Sequence, residues 1–295
     1  MKRVNTVVGA TGLVGSAICR LLAAAGKPVR AMTRPTSDPS KVEGLRKLGA
    51  EIVQGDLKDR ASLLEVCKGT ETLFTTASST LSRQPGDSLQ TVDHEGQLAL
   101  LEAAKAAGVR HVVLVSFHAM QGDFPLQAAK RSVEERLVQS GMTFTILQPS
   151  YFTEVWLSPA LGFDAANGKA RLFGTGEGRL NWISFEDVAR FAVGALDNPR
   201  AHNAILELGG EQALSQLDII RKFEERTGKK FQVEQVPEQA LREQTQSGED
   251  PMQRSFAGLM LNVALGYRLD PKPALQAIPL RPKSIEEFVA QALSA

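Results

Sequence analysis

Only two of the 295 residues are cysteines, and 6% are aromatic. Cys19 and Cys67 both fall within apolar helical patterns, which reads as two buried free thiols rather than a disulfide or a metal pair. The four histidines, His94, His111, His118 and His202, lack the close spacings of zinc ligands, so no metal is expected. No apolar run approaches the roughly 20 residues that span a bilayer. The start, "MKRVNTVVGATG", has neither the long apolar region nor the small-residue cleavage site of a signal peptide. These absences imply a cytoplasmic protein that does not engage a membrane. An excess of charge is missing too: 34 basic against 33 acidic residues leave +1, and the densest basic group is "RTGKK" at 226–230. Scattered basic residues argue against nucleic acid as a partner.

What is present is ordinary soluble material, 43% hydrophobic and 23% charged, enough for one large α/β domain or a nucleotide domain with a smaller lobe. Short β-branched runs, "VNTVV" (4–8), "PVRAMT" (28–33), "EIVQ" (51–54), "TLFTT" (72–76), "HVVLVS" (111–116) and "TFTIL" (143–147), read as strands. Amphipathic helical patterns separate them, most closing on a glycine. Such alternation implies a Rossmann-type, doubly wound parallel sheet with right-handed crossovers. "AILEL" (204–208) is expected to add a seventh strand.

The nucleotide domain is therefore placed at 1–150, completed by about 183–208, with 151–182 and 209–295 forming a smaller discontinuous α/β lobe. Within the lobe, "NGKARLFGTGEGRLNW" reads as hairpin and loop, and "EQTQSGEDPMQR" (243–254) as a mobile polar loop. Ser184, Ser215 and Ser284 are expected to cap helices, the last with Glu287 in a capping box.

The chemistry begins at "TVVGATGLVGSAIC" (6–19), where a strand runs into Gly9, Gly12 and Gly15 and then a helix. Gly9 permits a tight turn, Gly12 lets backbone approach a pyrophosphate, and Gly15 lets helix and strand pack closely. The following helix offers unpaired N–H groups and partial positive charge to phosphates. The spacing is G-x-x-G-x-x-G rather than G-x-G-x-x-G, so the flanking strand and helix carry the assignment. The end of the second strand presents Arg34 and no acid before Asp38, which favours the 2′-phosphate of NADP(H) over the free ribose hydroxyl of NAD(H). Asp56, in "GDLKD", either reaches the adenine amino group or belongs to the turn that opens the next helix.

Together "VVGATGLVGSAICRLL", "GDLKD", "LLEAAKAAGVRHVVLVS", "LQPSYFTE" and "ISFEDVARFAVGAL" resemble the NmrA-like family of atypical short-chain dehydrogenases/reductases. That group includes NADPH-dependent quinone reductases and non-catalytic redox-sensing regulators. The resemblance implies that Gly9, Thr11, Gly12, Leu13, Val14 and Gly15 wrap the pyrophosphate and that Arg34 holds the 2′-phosphate. It implies Asp56 and Leu57 at the adenine, Thr76, Ala77 and Ser78 along the adenosine ribose, and Lys130 on the nicotinamide ribose. Pro149, Ser150 and Phe152 would sit at the nicotinamide end.

In the wider superfamily that lysine ends a Tyr-x-x-x-Lys helix, where the ammonium makes the phenol a usable acid. Here the segment is "LQAAK", with Leu126 in the tyrosine position. Tyr151, Ser116 and His118 are the candidate replacement donors, and Lys130, Tyr151 and Ser116 are the candidate catalytic residues. A quinone needs less help than a ketone, because its reduced anion can take a proton from water. The sequence is therefore read as an NADPH-dependent reductase of a quinone or another conjugated apolar electrophile, with Phe117, Phe124, Tyr151, Phe152 and Trp156 as candidate pocket walls. The competing reading is a non-catalytic NADP(H) sensor acting through a protein partner. A homodimer is compatible with either, while epimerase-type chemistry is disfavoured because it needs the tyrosine.

Overall fold

The computed structural model describes residues 4–81 and 84–294. Strands Val4–Val8 (β1), Val29–Thr33 (β2), Glu51–Gln54 (β3), Thr70–Thr75 (β4), His111–Val115 (β5) and Thr143–Pro149 (β6) alternate with helices Leu13–Ala24 (α1), Pro39–Lys47 (α2), Arg60–Cys67 (α3), Glu95–Ala106 (α4) and Pro125–Val138 (α5). With a later strand, Ala204–Leu208, they form a seven-stranded sheet in the order β3-β2-β1-β4-β5-β6 followed by that strand. The pairings of β1 with β2 and β4, β2 with β3, β4 with β5, and β5 with β6 are parallel.

The strands are continuous β-branched and apolar runs because helices bury both of their faces. Val7, Leu73, Phe74, Val112 and Ile146 are all fully buried. Leu63, Val66, Leu100, Leu101 and Leu137 pack with Leu73, Val112 and Ile146 into one cluster. Strand order reverses between β1 and β4, so the loops that leave those two strands diverge at their carboxyl ends and create a crevice. Cys19 and Cys67 are free and buried, and burial pushes each thiol up to about 12.

The chain divides into two compact units, the first comprising Met1–Phe117, Ala128–Gln148 and Val188–Leu206, the second His118–Gln127, Pro149–Asp187 and Glu207–Ala295. The segment 118–127, read with the nucleotide domain, groups with the second unit. There the Leu126 N–H donates to Ser255 Oγ at 3.0 Å, and the Phe124 ring fills the space left by the missing side chain of Gly258.

Beyond β6 come Thr153–Trp156 (α6), Phe163–Asp164 (β7), Lys169–Phe173 (β8), Phe185–Gly194 (α7), the seventh sheet strand Ala204–Leu208 (β9) and Gln216–Thr227 (α8). Gln232–Val236 (β10), Glu238–Ser247 (α9), Pro251–Leu265 (α10), Lys272–Ala277 (α11) and Ile285–Ala292 (α12) complete the chain. Ser215 and Ser284 cap α8 and α12 in reciprocal capping boxes with Asp218 and Glu287. The segment 167–182 supplies only one strand, β8, whose antiparallel partner β7 lies just before it, and β10, an exposed strand that polar alternation hides, adds to β8 in parallel.

The segment 243–254 is not a long loop, because α9 runs to Ser247 and α10 starts at Pro251 behind an Asp250 N-cap. Its polar residues coat helices that bury Leu241 and Met252, so polarity reported exposure rather than disorder.

Candidate functional site

The glycine loop leaves β1 at the point where strand order reverses. Gly9 has φ +85°, and a Cβ there would come within 2.6 Å of Thr76 Oγ1 and 2.8 Å of the Ala77 nitrogen. A Cβ on Gly15 would lie 2.1 Å from the Gly9 carbonyl oxygen, so the first turn of α1 rests directly on the loop. Gly12 is different: its Cβ would meet only that same oxygen, at 3.3 Å. It is the N-cap of α1 and has no side chain to cap with, and no acidic residue occupies the first turn. No side chain caps the opening N–H groups of α1, beside Leu13 and Val14, an arrangement that can receive an anion.

Two cations gather beyond β2 and β3. Arg34 Nη1 lies 2.6 Å from Asp87 Oδ2, and Lys58 Nζ lies 2.6 Å from the other oxygen of that carboxylate, whose side chain is 2% exposed. Burial alone would push the Asp87 carboxyl up. Hydrogen bonds from Lys58, Arg34 and the Gln84 N–H outweigh it and hold the group below its ordinary value. Asp56 serves the local turn, accepting the Lys58 N–H at 2.9 Å, and lies 3.9 Å from Lys58 Nζ. Leu57 is buried where α4 comes close, since a Cβ on Gly96 would fall 2.7 Å from Leu57 Cβ.

The loop after β4 is pinned from behind. Gln97 accepts the Thr75 hydroxyl at 2.8 Å and donates to the Ala77 carbonyl at 2.9 Å. Ser78 pairs with Thr80 at 3.1 Å. Asp93, fully buried, accepts both the Ser79 N–H at 2.9 Å and the Ser79 hydroxyl at 2.6 Å through Oδ2. Its Oδ1 lies 3.6 Å from Lys130 Nζ, and the Lys130 side chain is 7% exposed.

After β5, Ser116 is buried, donates its N–H to the Leu147 carbonyl at 2.8 Å and accepts from Arg131 at 3.4 Å. Arg131 also donates to the Phe117 carbonyl and lies over the Phe117 ring, 5.5 Å from its centroid. The first unit thus gathers at the carboxyl ends of its strands the glycine loop, Arg34, Asp56, Leu57, Thr76, Ala77, Ser78, Ser116, Phe117 and Lys130.

The remaining candidates, Phe124, Pro149, Ser150, Tyr151, Phe152 and Trp156, belong to the second unit. Ser150 donates its N–H to the Leu208 carbonyl at 2.8 Å, and Phe152 bridges to Ile183. Tyr151 is buried, its hydroxyl donates to the Leu259 carbonyl at 2.9 Å, and burial raises its pKa well above the ordinary phenol value. Its ring meets Trp156 edge-on at 4.9 Å. His118, a candidate proton donor in the sequence, is fully buried and stacked on Tyr267 at 4.7 Å. Leu126 is buried and brings no acid to the position of the absent tyrosine.

Sequence reasoning missed Lys58, Asp87, Asp93 and Gln97. Only Gln97 left a signal, a polar residue within the apolar stripe of "GQLALLEAA". Among the described residues no three His, Cys, Asp or Glu side chains gather as a metal site, and no helix is long and apolar enough to cross a membrane.

A cavity of about 420 Å³ opens at the other ends of the same strands, beside Asn5, Lys27, Thr72, His111, Thr143 and His202. His111 Nε2 pairs with Thr145 Oγ1 at 2.9 Å, and that hydroxyl gives its only proton to the Ala201 carbonyl at 2.7 Å. His111 is therefore the donor, a neutral Nε2–H imidazole. Burial, then repulsion from His202 at 4.8 Å between ring centroids, lowers its pKa to about 4.

The model of a family described as NmrA-like matches residues 1–289. An NAD(P)H azoreductase of Xenophilus azovorans is 32% identical over 216 residues, covering 72% of this chain and 70% of that protein. An isoflavone reductase homologue of Zea mays is 28% identical over 298 residues, covering 94% and 92%. Among solved structures, the NADPH-dependent quinone oxidoreductase of Escherichia coli complexed with NADPH superposes with a TM-score of 0.76 at 21% identity, over 98% of this chain and 99% of the other. At that identity the superposition speaks for the fold.

Proposed function

This chain belongs to the NmrA-like family, and from that premise we propose that it is an NADPH-dependent oxidoreductase that passes hydride to a quinone or another conjugated, fairly apolar electrophile. The observation that carries the reading is the uncapped start of α1 at Gly12, set against the β4 loop where the strand order reverses. An N-terminus without a side-chain cap or an acidic first turn, reached through a glycine loop, suits the pyrophosphate of a dinucleotide. NADPH held there supplies the hydride, and the protein supplies orientation and electrostatics.

In this reading Gly9, Thr11, Gly12, Leu13, Val14 and Gly15 hold the pyrophosphate, and Arg34 discriminates for the 2′-phosphate. Asp56 and Leu57 take the adenine, Thr76, Ala77 and Ser78 follow the ribose, and Pro149, Ser150 and Phe152 attend the nicotinamide. Lys130 binds the second ribose and, with Ser116, is the polar group offered to the acceptor oxygen. Tyr151 spends its hydroxyl proton on the Leu259 carbonyl, so it contributes ring surface along with Phe117, Phe124 and Trp156. With a leucine at 126, a conjugated acceptor whose reduced anion protonates from water is a better match than a simple ketone. The azoreductase and isoflavone reductase relatives support reduction as the common activity, and they differ in acceptor.

The test is NADPH oxidation by the purified protein across quinones, conjugated enals and ketones, simple ketones, and azo and cationic dyes, with nucleotide binding followed by fluorescence in the same samples. Turnover is expected with quinones and absent with simple ketones. Tight NADPH binding with no turnover on any acceptor rejects the enzyme and returns the chain to the sensor class.

A further inference from the structure

We propose that Asp93 is a positioning residue for Lys130, holding its ammonium at the carboxyl edge of the sheet in register with the β4 loop. The inference rests on the reading that Lys130 binds the nicotinamide ribose. Asp93 is fully buried, and its two oxygens are used differently. Oδ2 is saturated by the Ser79 N–H and the Ser79 hydroxyl, which fixes the plane of the carboxylate. Oδ1 makes no hydrogen bond among the described residues and is turned toward Lys130 Nζ at 3.6 Å. Charge-assisted N–H···O bonds are roughly 2.7–2.9 Å long. The ammonium is thus attracted by Asp93 without giving it a donor, and its N–H groups stay available to a ligand.

Stability does not account for this pair. Two well-packed apolar side chains would serve a buried position as well as a buried ion pair does, whereas an unpaired buried lysine is costly. Keeping Lys130 at a 7% exposed position therefore requires Asp93, and keeping both is explained by what the ammonium does.

The local backbone is built for the placement. Leu89–His94 forms a π-helical turn ahead of α4, entered through a capping box between Ser88 and Thr91. Wide turns of this kind concentrate at functional sites, because they redirect one side chain without ending the helix. Asp93 and Gln97, one helical turn apart, both reach the β4 loop, at Ser79 and Ala77. The element thus ties the segment proposed for one ribose to the lysine proposed for the other.

The experiment compares binding of NADPH and of adenosine 2′,5′-bisphosphate, which keeps the 2′-phosphate but lacks the nicotinamide ribose. Calorimetry is run on the full-length wild type, Asp93→Asn, Ser79→Ala, Lys130→Met and the double variant Asp93→Asn/Lys130→Met. Asn keeps an oxygen for Ser79 and removes the charge. Asp93→Asn should weaken NADPH about tenfold, as expected from losing one charge-assisted contact, and leave the bisphosphate within about twofold. Lys130→Met should match it, the double variant should be no worse than either single one, and Ser79→Ala should show a smaller, equally selective loss. The bisphosphate result also reports whether each variant is folded.

Parallel weakening of both ligands, additive losses in the double variant, or wild-type NADPH affinity in Asp93→Asn overturns the assignment. Should Asp93→Asn fail to fold, an unselective or absent effect in Ser79→Ala overturns it. Wild-type protein that binds the bisphosphate but gains nothing from the nicotinamide half rejects the Lys130 ribose reading itself. Wild-type protein that binds neither ligand rejects the cofactor reading.

Discussion

The two edges of the seven-stranded sheet are made by the same strands and treat polar groups in opposite ways. At the amino edge the charges pair at the surface, Lys27 with Asp197 at 2.7 Å and Arg110 with Glu71 at 3.6 Å, and the buried His111 is neutral. At the carboxyl edge charges are buried, Asp87 beneath two cations and Asp93 against Lys130, and the start of α1 lacks a side-chain cap. The amino edge has an open cavity of about 420 Å³, yet charged and polar groups that line it, Lys27, Arg110 and His111, are paired within the chain. An open cavity by itself is therefore a poorer guide to a ligand than unsatisfied donors and buried charge.

Substitutions at the two edges should separate binding from stability. The largest effect is expected from Gly15→Ala, whose Cβ would stand 2.1 Å from the Gly9 carbonyl oxygen. Both atoms are held by backbone, so α1 must shift, at a cost of about 2–4 kcal/mol. Urea unfolding and NADPH titration should show lost stability together with lost binding. Normal binding in this variant would break the link between loop packing and phosphate capture.

Next comes acid sensitivity from the amino edge. Folded His111 has a pKa of about 4 against 6.5 for an ordinary imidazole, so between those values the unfolded chain holds more protons. Stability from this residue is complete above pH 6.5 and is lost as pH falls toward 4, by up to about 3 kcal/mol. His111→Gln should flatten that part of the stability profile and leave NADPH affinity alone. An unchanged profile would mean that folding leaves the His111 pKa at its ordinary value.

Arg34→Ala should do the reverse. NADPH affinity relative to NADH is expected to fall about tenfold to a hundredfold, while the melting temperature moves little because Lys58 still neutralises Asp87. An unchanged ratio would remove Arg34 from the 2′-phosphate site.

The smallest effect belongs to Lys27→Ala, which breaks a surface pair with Asp197, itself 79% exposed on its side chain. It should cost less than about 0.5 kcal/mol and leave nucleotide binding unchanged. A large loss in either would make the amino edge more than structural.

Much of this architecture was legible in the residues, and the gaps have physical reasons. The β-branched runs and the amphipathic spacers stand out because their periodicity lies within a few residues, and Gly9, Gly12 and Gly15 stand out for the same reason. The strand β10 and the helices around 243–254 escaped because exposed elements carry little apolar pattern. His118 and Tyr151 read as candidate proton donors beside the strand ends, and aromatic packing within the second unit buried both.

By itself, then, the sequence determined the alternation of strands and helices as far as β6, the position of the glycine loop and the absence of the usual tyrosine, all of which depend on neighbours along the chain. Tertiary structure alone decided the partners of the buried charges. Arg34 meets Asp87 across 53 residues, and the Tyr151 hydroxyl finds its acceptor 108 residues away. Asp93, in the turn ahead of α4, became the buried counter-ion of Lys130. A charge states what it needs, but only folding brings the group that supplies it, because buried electrostatics depends on distance in space and on the water that packing excludes.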